Sequence, residues 1–339
     1  MDLIQRDEEK AQRSWCIEAF LTRISVMPVN INEKNMSGAI NSSMNRRQWA
    51  TLIALSVLWG GSFFFVEIAL ETLPPLTIVM LRVGLASAAL WLVALALKLP
   101  VPNSAPIWLT FLTMGLLNNV LPFSLIVWGQ SHISSGLAAI LNATAPLFGV
   151  IVAGILLRDE AATPLKVTGV VVGFAGVIVM MDLSSIATGS LLAQLAILAA
   201  ALSYACASVY GRRFKATGLN PILIAAGQVT GSTLILIPIA LWVDGTDHYA
   251  LTPSKVWAAI ISLAVLSTAT AYIFYFKLLA SAGATNILLV TLLVPVSAIL
   301  LGWLFLQESL QTPHFIGMAM IALGLSAIDG RLWRKVTKP

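Results

Sequence analysis

Two ionisable side chains, Glu67 and Arg82, stand inside otherwise apolar stretches of this 339-residue chain, where a charge needs a partner, water or a ligand. With about 1.5 Å of rise per residue, Glu67 falls roughly 5 Å and Arg82 roughly 9 Å below the same end of two adjacent antiparallel helices, so the two can pair. Such a pair has two readings. It is an internal ion pair that fixes the packing of the two helices, or Arg82 attracts the carboxylate or phosphate of a solute while Glu67 balances its charge. If a coupling proton is carried, Glu67 is the intramembrane carboxylate expected to carry it.

Neutral polar groups add to this set. Trp59, Ser62 and Glu67 recur with Phe63 and Val66 at three- and four-residue spacing, and so share one helix face that either lines a cavity or packs as core. Asn118 and Asn119 are adjacent carboxamides four and three residues before Pro122, which frees the backbone carbonyl of Asn118. That combination predicts a kinked, hydrated segment near the membrane midplane. Asn142, Tyr204, Gln228, Tyr272 and Asn286 complete the candidates, each an interhelical hydrogen bond or a contact to a bound solute. No phosphate-binding loop, H-E-x-x-H or G-x-S-x-G motif is present, and the histidines, His132, His248 and His314, fall near loops. The expectation is a chain that is not an enzyme, needs no cofactor or metal, and acts on a small-molecule solute.

The elements that must hold these residues are membrane helices. Apolar residues make up 58% of the chain and charged ones only 10%, a balance that a soluble domain of this size cannot bury. From Leu99 to Leu157 there is no Asp, Glu, Lys or Arg, enough for two crossings with a tight turn near His132. Apolar length and Pro/Gly punctuation place all-α spans at 49–70, 76–97, 107–127, 135–157 and 166–182, then at 190–210, 221–243, 256–276, 283–306 and 311–328. The net charge of +5 does not point to nucleic acid, because the basic residues lie in short loops between spans. One side receives Arg46, Arg47, Lys98, Arg158, Lys166, Arg212, Arg213, Lys215, Lys277 and the basic tail at 331–339; the other receives only Lys255. Both termini are therefore expected in the cytoplasm.

Landmarks recur along the chain. Pro75 matches Pro221, Pro146 matches Pro295, Glu160 matches Glu308, Gly169 matches Gly317 and Gly176 matches Gly324, at offsets of 146 to 149 residues. Five helices per copy is an odd number, so the second copy enters from the opposite side, an inverted repeat of 46–182 and 183–330. Residues 1–45 read as a cytoplasmic extension, disordered or produced by an upstream start codon, with Met36 and Met44 as alternative starts. The glycines Gly169, Gly173, Gly176, Gly317 and Gly324 predict close helix packing within one chain in preference to a dimer face; the chain is expected as a monomer or homodimer. Cys16 and Cys206 provide no disulfide framework.

"LWGGSFF" at 58–64, "LPPLTIVMLRVG" at 73–84, "ATAPLFGVIVAGILLRDE" at 143–160 and "LLVPVSAILLGWLFLQE" at 292–308 resemble the EamA-type permeases of the drug/metabolite transporter superfamily. The resemblance runs from about Met44 to Asp329. It implies a ten-helix secondary carrier of the inner membrane, often an exporter of amino acids or related metabolites, with a cavity between helices 1 to 4 and 6 to 9. Carried over by position are Trp59, Gly60, Ser62, Arg82, Pro146, Glu160, Pro295 and Glu308. The second copy departs, with Tyr204 in place of Trp59 and Gln228 in place of Arg82. An organic-phosphate or nucleotide-sugar exchanger, which wants more than one cavity cation, and a non-transporting sensor or scaffold are the alternatives.

Overall fold

Apolar runs bounded by Asn, Ser and Pro become helices in the computed structural model, which describes residues 44–156, 163–180, 190–282, 287 and 289–329. In chain order these are α1 (Arg46–Leu70), α2 (Pro75–Ala96), α3 (Ala105–Gln130), α4 (Ser135–Leu156), α5 (Pro164–Met180), α6 (Ser190–Gly211), α7 (Pro221–Val243), α8 (Ser254–Leu279), α9 (Leu289–Phe305) and α10 (Thr312–Asp329). No strand occurs among the described residues. Seven helices, α1 to α4 and α6 to α8, are long and apolar enough to cross a membrane, whereas α5, α9 and α10 are apolar but shorter, at 17, 17 and 18 residues. The chain is thus an all-helical polytopic membrane protein. The extension at 1–43, the tail at 330–339, and Glu160, Arg158 and Asn286 lie outside the described residues.

The helix starts follow from local chemistry. Asn45 caps α1 with a reciprocal pair, its Oδ1 accepting from Gln48 N at 2.9 Å while its own N–H donates to Gln48 Oε1 at 2.9 Å. Pro75 and Pro221 occupy the first turn of α2 and α7, where a missing N–H leaves no bond unmade. The expected turn near His132 separates α3 from α4.

Three helices depart from regular geometry at sites that matter below. A π-helical segment, Leu116–Val120, interrupts α3, and another, Val265–Thr270, interrupts α8. Each begins at the twelfth residue of its helix. The deviation expected from Pro122 is therefore present and takes the form of a widened turn that holds Asn118 and Asn119. In α4 the helix breaks at Ala143 and Thr144, where Pro146 cannot donate to the Asn142 carbonyl.

Packing interleaves the earlier and later helices. α5 lies against α10, α2 against α7, and α1 against α9. A methyl group added to Gly169 would stand 2.6 Å from the Gly324 carbonyl oxygen, and one added to Gly176 would stand 2.7 Å from that of Gly317. The glycine faces thus pack on one another within the chain, as expected. Gly60 has the same function between α1 and α9: Ser297 Oγ donates to the Ser56 carbonyl at 2.8 Å, and a Cβ on Gly60 would collide with it. Two apolar clusters result, one built around α1, α4, α6 and α9 and the other around α2, α3, α7 and α8. Tyr204 packs against both.

Candidate functional site

Between those clusters the polar side chains of α2, α3, α7 and α8 converge. Arg82, the eighth residue of α2, is 6% exposed. Its Nε donates to Thr268 Oγ1 at 2.9 Å, and its guanidinium lies over the Phe123 ring, with Cζ 3.7 Å from the centroid. Thr268 is aimed by its own backbone. Its hydroxyl proton goes to the Leu263 carbonyl at 2.9 Å, five residues back across the π turn, so a lone pair is left facing Arg82. Among the described residues Arg82 makes no other hydrogen bond, and no carboxylate forms an ion pair with it.

A second set of contacts joins the remaining amides. Asn118 Nδ2 donates to Tyr272 Oη at 3.1 Å and lies 3.4 Å from Gln228 Oε1; Tyr272 Oη donates to Asn119 Oδ1 at 3.3 Å. Gln228 and Asn119 are fully enclosed, at 1% and 0% exposure. Two polar atoms on the π segments, Asn119 Nδ2 and Ser267 Oγ, are buried with no partner. Buried polar atoms without partners are costly, at about 1–3 kcal/mol each.

The fold brings Arg82, Asn118, Asn119, Gln228 and Tyr272 together among α2, α3, α7 and α8, and Tyr204 packs against both apolar clusters. The expected Glu67–Arg82 pair is not formed. Depth along a helix does not set direction around it: Glu67 Oε2 is buried without a partner, and the amide of Gln130 from α3 bonds to the Phe63 carbonyl one turn before it. Ser62 is also withdrawn, because its hydroxyl donates to the Trp59 carbonyl of its own helix at 2.6 Å. Trp59 rests against Tyr275, their ring centroids 5.6 Å apart. Asn142 sits at the break in α4 with its Oδ1 buried and unpartnered.

Thr268 and Phe123 were not among the expected site residues. The repeat offset contains the missing signal: Thr268 lies 149 residues after Asn119, and Tyr272 lies 149 after Phe123.

A model of the EamA-like transporter family matches this chain twice, at residues 48–182 and again at 191–328. Similar curated proteins include YoaV of Bacillus subtilis, named an uncharacterized transporter, with 23% identity across 81% of this chain and 94% of that protein. YedA of Escherichia coli K12, named an uncharacterized inner membrane transporter, is 28% identical across 82% of this chain and 89% of its own length. One solved crystal structure is covered over 100% of its chain and aligns with 87% of this one at a TM-score of 0.63 and 18% identity, a likeness of fold.

Proposed function

The chain belongs to the EamA-like transporter family and is a membrane transporter, and on that premise we propose that it is a secondary carrier of small solutes bearing an anionic group, which docks on Arg82. The observation that carries this reading is the state of that guanidinium: buried, fixed at Nε and by the Phe123 face, and among the described residues with no ion-paired carboxylate and no hydrogen bond to its two terminal amino groups. Arginine stays charged, and an uncompensated charge taken out of water costs several kcal/mol. A solute carboxylate removes that cost and gains a fork of two N–H donors.

The wider reading is an inner-membrane protein of ten spans, five plus five in inverted orientation, with both termini cytoplasmic. Support comes from the double match to the family model, the π segments at the same position of α3 and α8, and the basic residues collected on one side. Two copies on opposite orientations allow the centre to open to either side by alternating access. Export of amino acids or related metabolites fits a site with one cation, several neutral amides and an aromatic wall of Tyr204 and Tyr272.

The test is flux of amino acids and small carboxylates in proteoliposomes, comparing the wild type with Arg82→Gln. Saturable flux of anionic and zwitterionic solutes is expected in the wild type, and in the variant only with a KM raised about 10- to 100-fold, with thermal unfolding unchanged. Equal flux in both would make Arg82 a packing residue and end this reading.

A further inference from the structure

Away from the centre, a second polar group has an unusual deficit. Glu67 Oε2 and Gln130 Oε1 are both buried and both lack a partner. Gln130 closes α3 at 3% exposure, its Nε2 donating to the Phe63 carbonyl at 3.0 Å, one turn before Glu67 on α1. The Phe63 carbonyl fixes the amide orientation, since a reversed amide would set oxygen against oxygen. The two orphaned atoms are therefore both acceptors. What the group lacks is a hydrogen.

Glu308, just past α9, is the charge that acts on Glu67. Its own oxygens are taken: Oε1 accepts from Ser135 N at 2.8 Å, and Oε2 accepts from Ser135 Oγ at 2.8 Å and Gly136 N at 3.2 Å, which caps the start of α4. Of the other charged groups at this end, Lys255 at the start of α8 pairs with Glu71, one turn further along α1. Gln130 from α3 and Ser135 from α4 are neutral.

We propose that Glu67 and Gln130 form a proton-binding site, in which a proton on Glu67 Oε2 is donated to Gln130 Oε1 and the neighbouring Glu308 carboxylate helps to hold it there. One proton answers both deficits, since it supplies the missing donor and removes the repulsion between two carboxylates. A metal cation fits poorly, because hard cations take about six or more oxygen ligands and these two residues offer two unpartnered buried oxygens. On the carrier reading above, this proton is the coupling ion, and the outer end of α4 is where its occupancy is felt, through Glu308.

Infrared difference spectra of the purified full-length protein between acid and alkaline buffer, without solute, test the site directly. A titrating protonated-carboxyl C=O component that the wild type has and Glu67→Gln lacks is expected, on top of the bands that the other Asp and Glu residues give in both. Glu308→Gln removes the neighbouring negative charge, so the band's midpoint should move toward acid; this variant decides the matter if Glu67→Gln does not fold. Identical difference spectra for the wild type and Glu67→Gln, an unmoved midpoint of that component in Glu308→Gln, or its suppression by sodium at fixed pH would each overturn the proposal. A band behaving as expected in a protein that moves no solute would support the site and count against the carrier reading instead.

Discussion

Arg82 and Gln228 are the eighth residues of α2 and α7, 146 positions apart, and each reaches toward the π-widened helix of the other half. Arg82 meets Thr268 of α8 and lies on Phe123; Gln228 meets Asn118 of α3, which also holds Tyr272. Phe123 and Tyr272 are themselves 149 residues apart, as are Asn119 and Thr268. The same arrangement is therefore present twice, once charged on an apolar ring and once neutral on a hydroxylated ring. The two sets of contacts correspond in position while their chemistry differs, one charged and one neutral.

The largest expected effect follows from the charged pole. A charge-assisted hydrogen bond contributes about 1.5–3 kcal/mol, so Arg82→Gln should raise KM for an anionic solute about 10- to 100-fold. Gln228→Met, which removes a neutral bond of about 1 kcal/mol, should raise it only several-fold in the same proteoliposome assay. Equal losses would show that the two poles do the same work. The exchanged variant, Arg82→Gln with Gln228→Arg, sharpens the comparison. Its new guanidinium lies next to Tyr272, and partial recovery of flux over Arg82→Gln alone is expected.

Where the two halves remain alike, mutations should act alike. Gly176→Ala on α5 and its repeat counterpart Gly324→Ala on α10 each press a methyl group onto a backbone carbonyl of the other helix, that of Gly317 at 2.7 Å and that of Gly169. Each should destabilise by about 1–3 kcal/mol, read as lowered thermal unfolding midpoints of similar size. A large effect from one and none from the other would mean that α5 and α10 do not cross as described. Thr268→Val comes next, since it removes the single hydrogen bond to Arg82 Nε at 2.9 Å and leaves the shape almost unchanged. A loss of about 1 kcal/mol, or roughly fivefold in KM, is expected, with rescue by Thr268→Ser.

How far the sequence discloses these features depends on what each one rests upon. Membrane helices are legible because apolar length is a one-dimensional property, and α1, α2 and α7 fall close to where composition puts them. Asn118 is legible because Pro122 announces a disturbed backbone. The Glu67–Arg82 pairing fails because it requires the rotation of each helix about its axis, which tertiary packing sets. The π turn of α8 has no proline to signal it; only the match of residues 265–270 to the Asn-bearing turn of α3 gives it away. Short helices are the least certain by composition, and α5, α9 and α10 owe their placement to partners, glycine against glycine or against α1.

The two ends of the molecule extend the same comparison with the smallest expected effect. Asp244, following α7, accepts from Thr77 N at 2.7 Å and Thr77 Oγ1 at 2.9 Å, so it caps the start of α2 from another helix. The residue 146 positions earlier is Lys98, a cation that cannot accept from an N–H, and the start of α7 is capped locally by Asn220, which accepts from Ile222 N at 2.9 Å. Carboxylates thus tie helices of the two halves at one end: Asp244 to α2, Glu308 to α4, and Glu71 to Lys255. The last of these is the weakest tie, because its side chains are 61% and 45% exposed and water screens the pair. Lys255→Ala should therefore cost at most about 1 kcal/mol in thermal unfolding, and the difference from wild type should shrink in high salt. A larger, salt-insensitive loss would mean that closure of this end rests on Glu71 and Lys255, and would move the seat of the asymmetry from the centre to the rim.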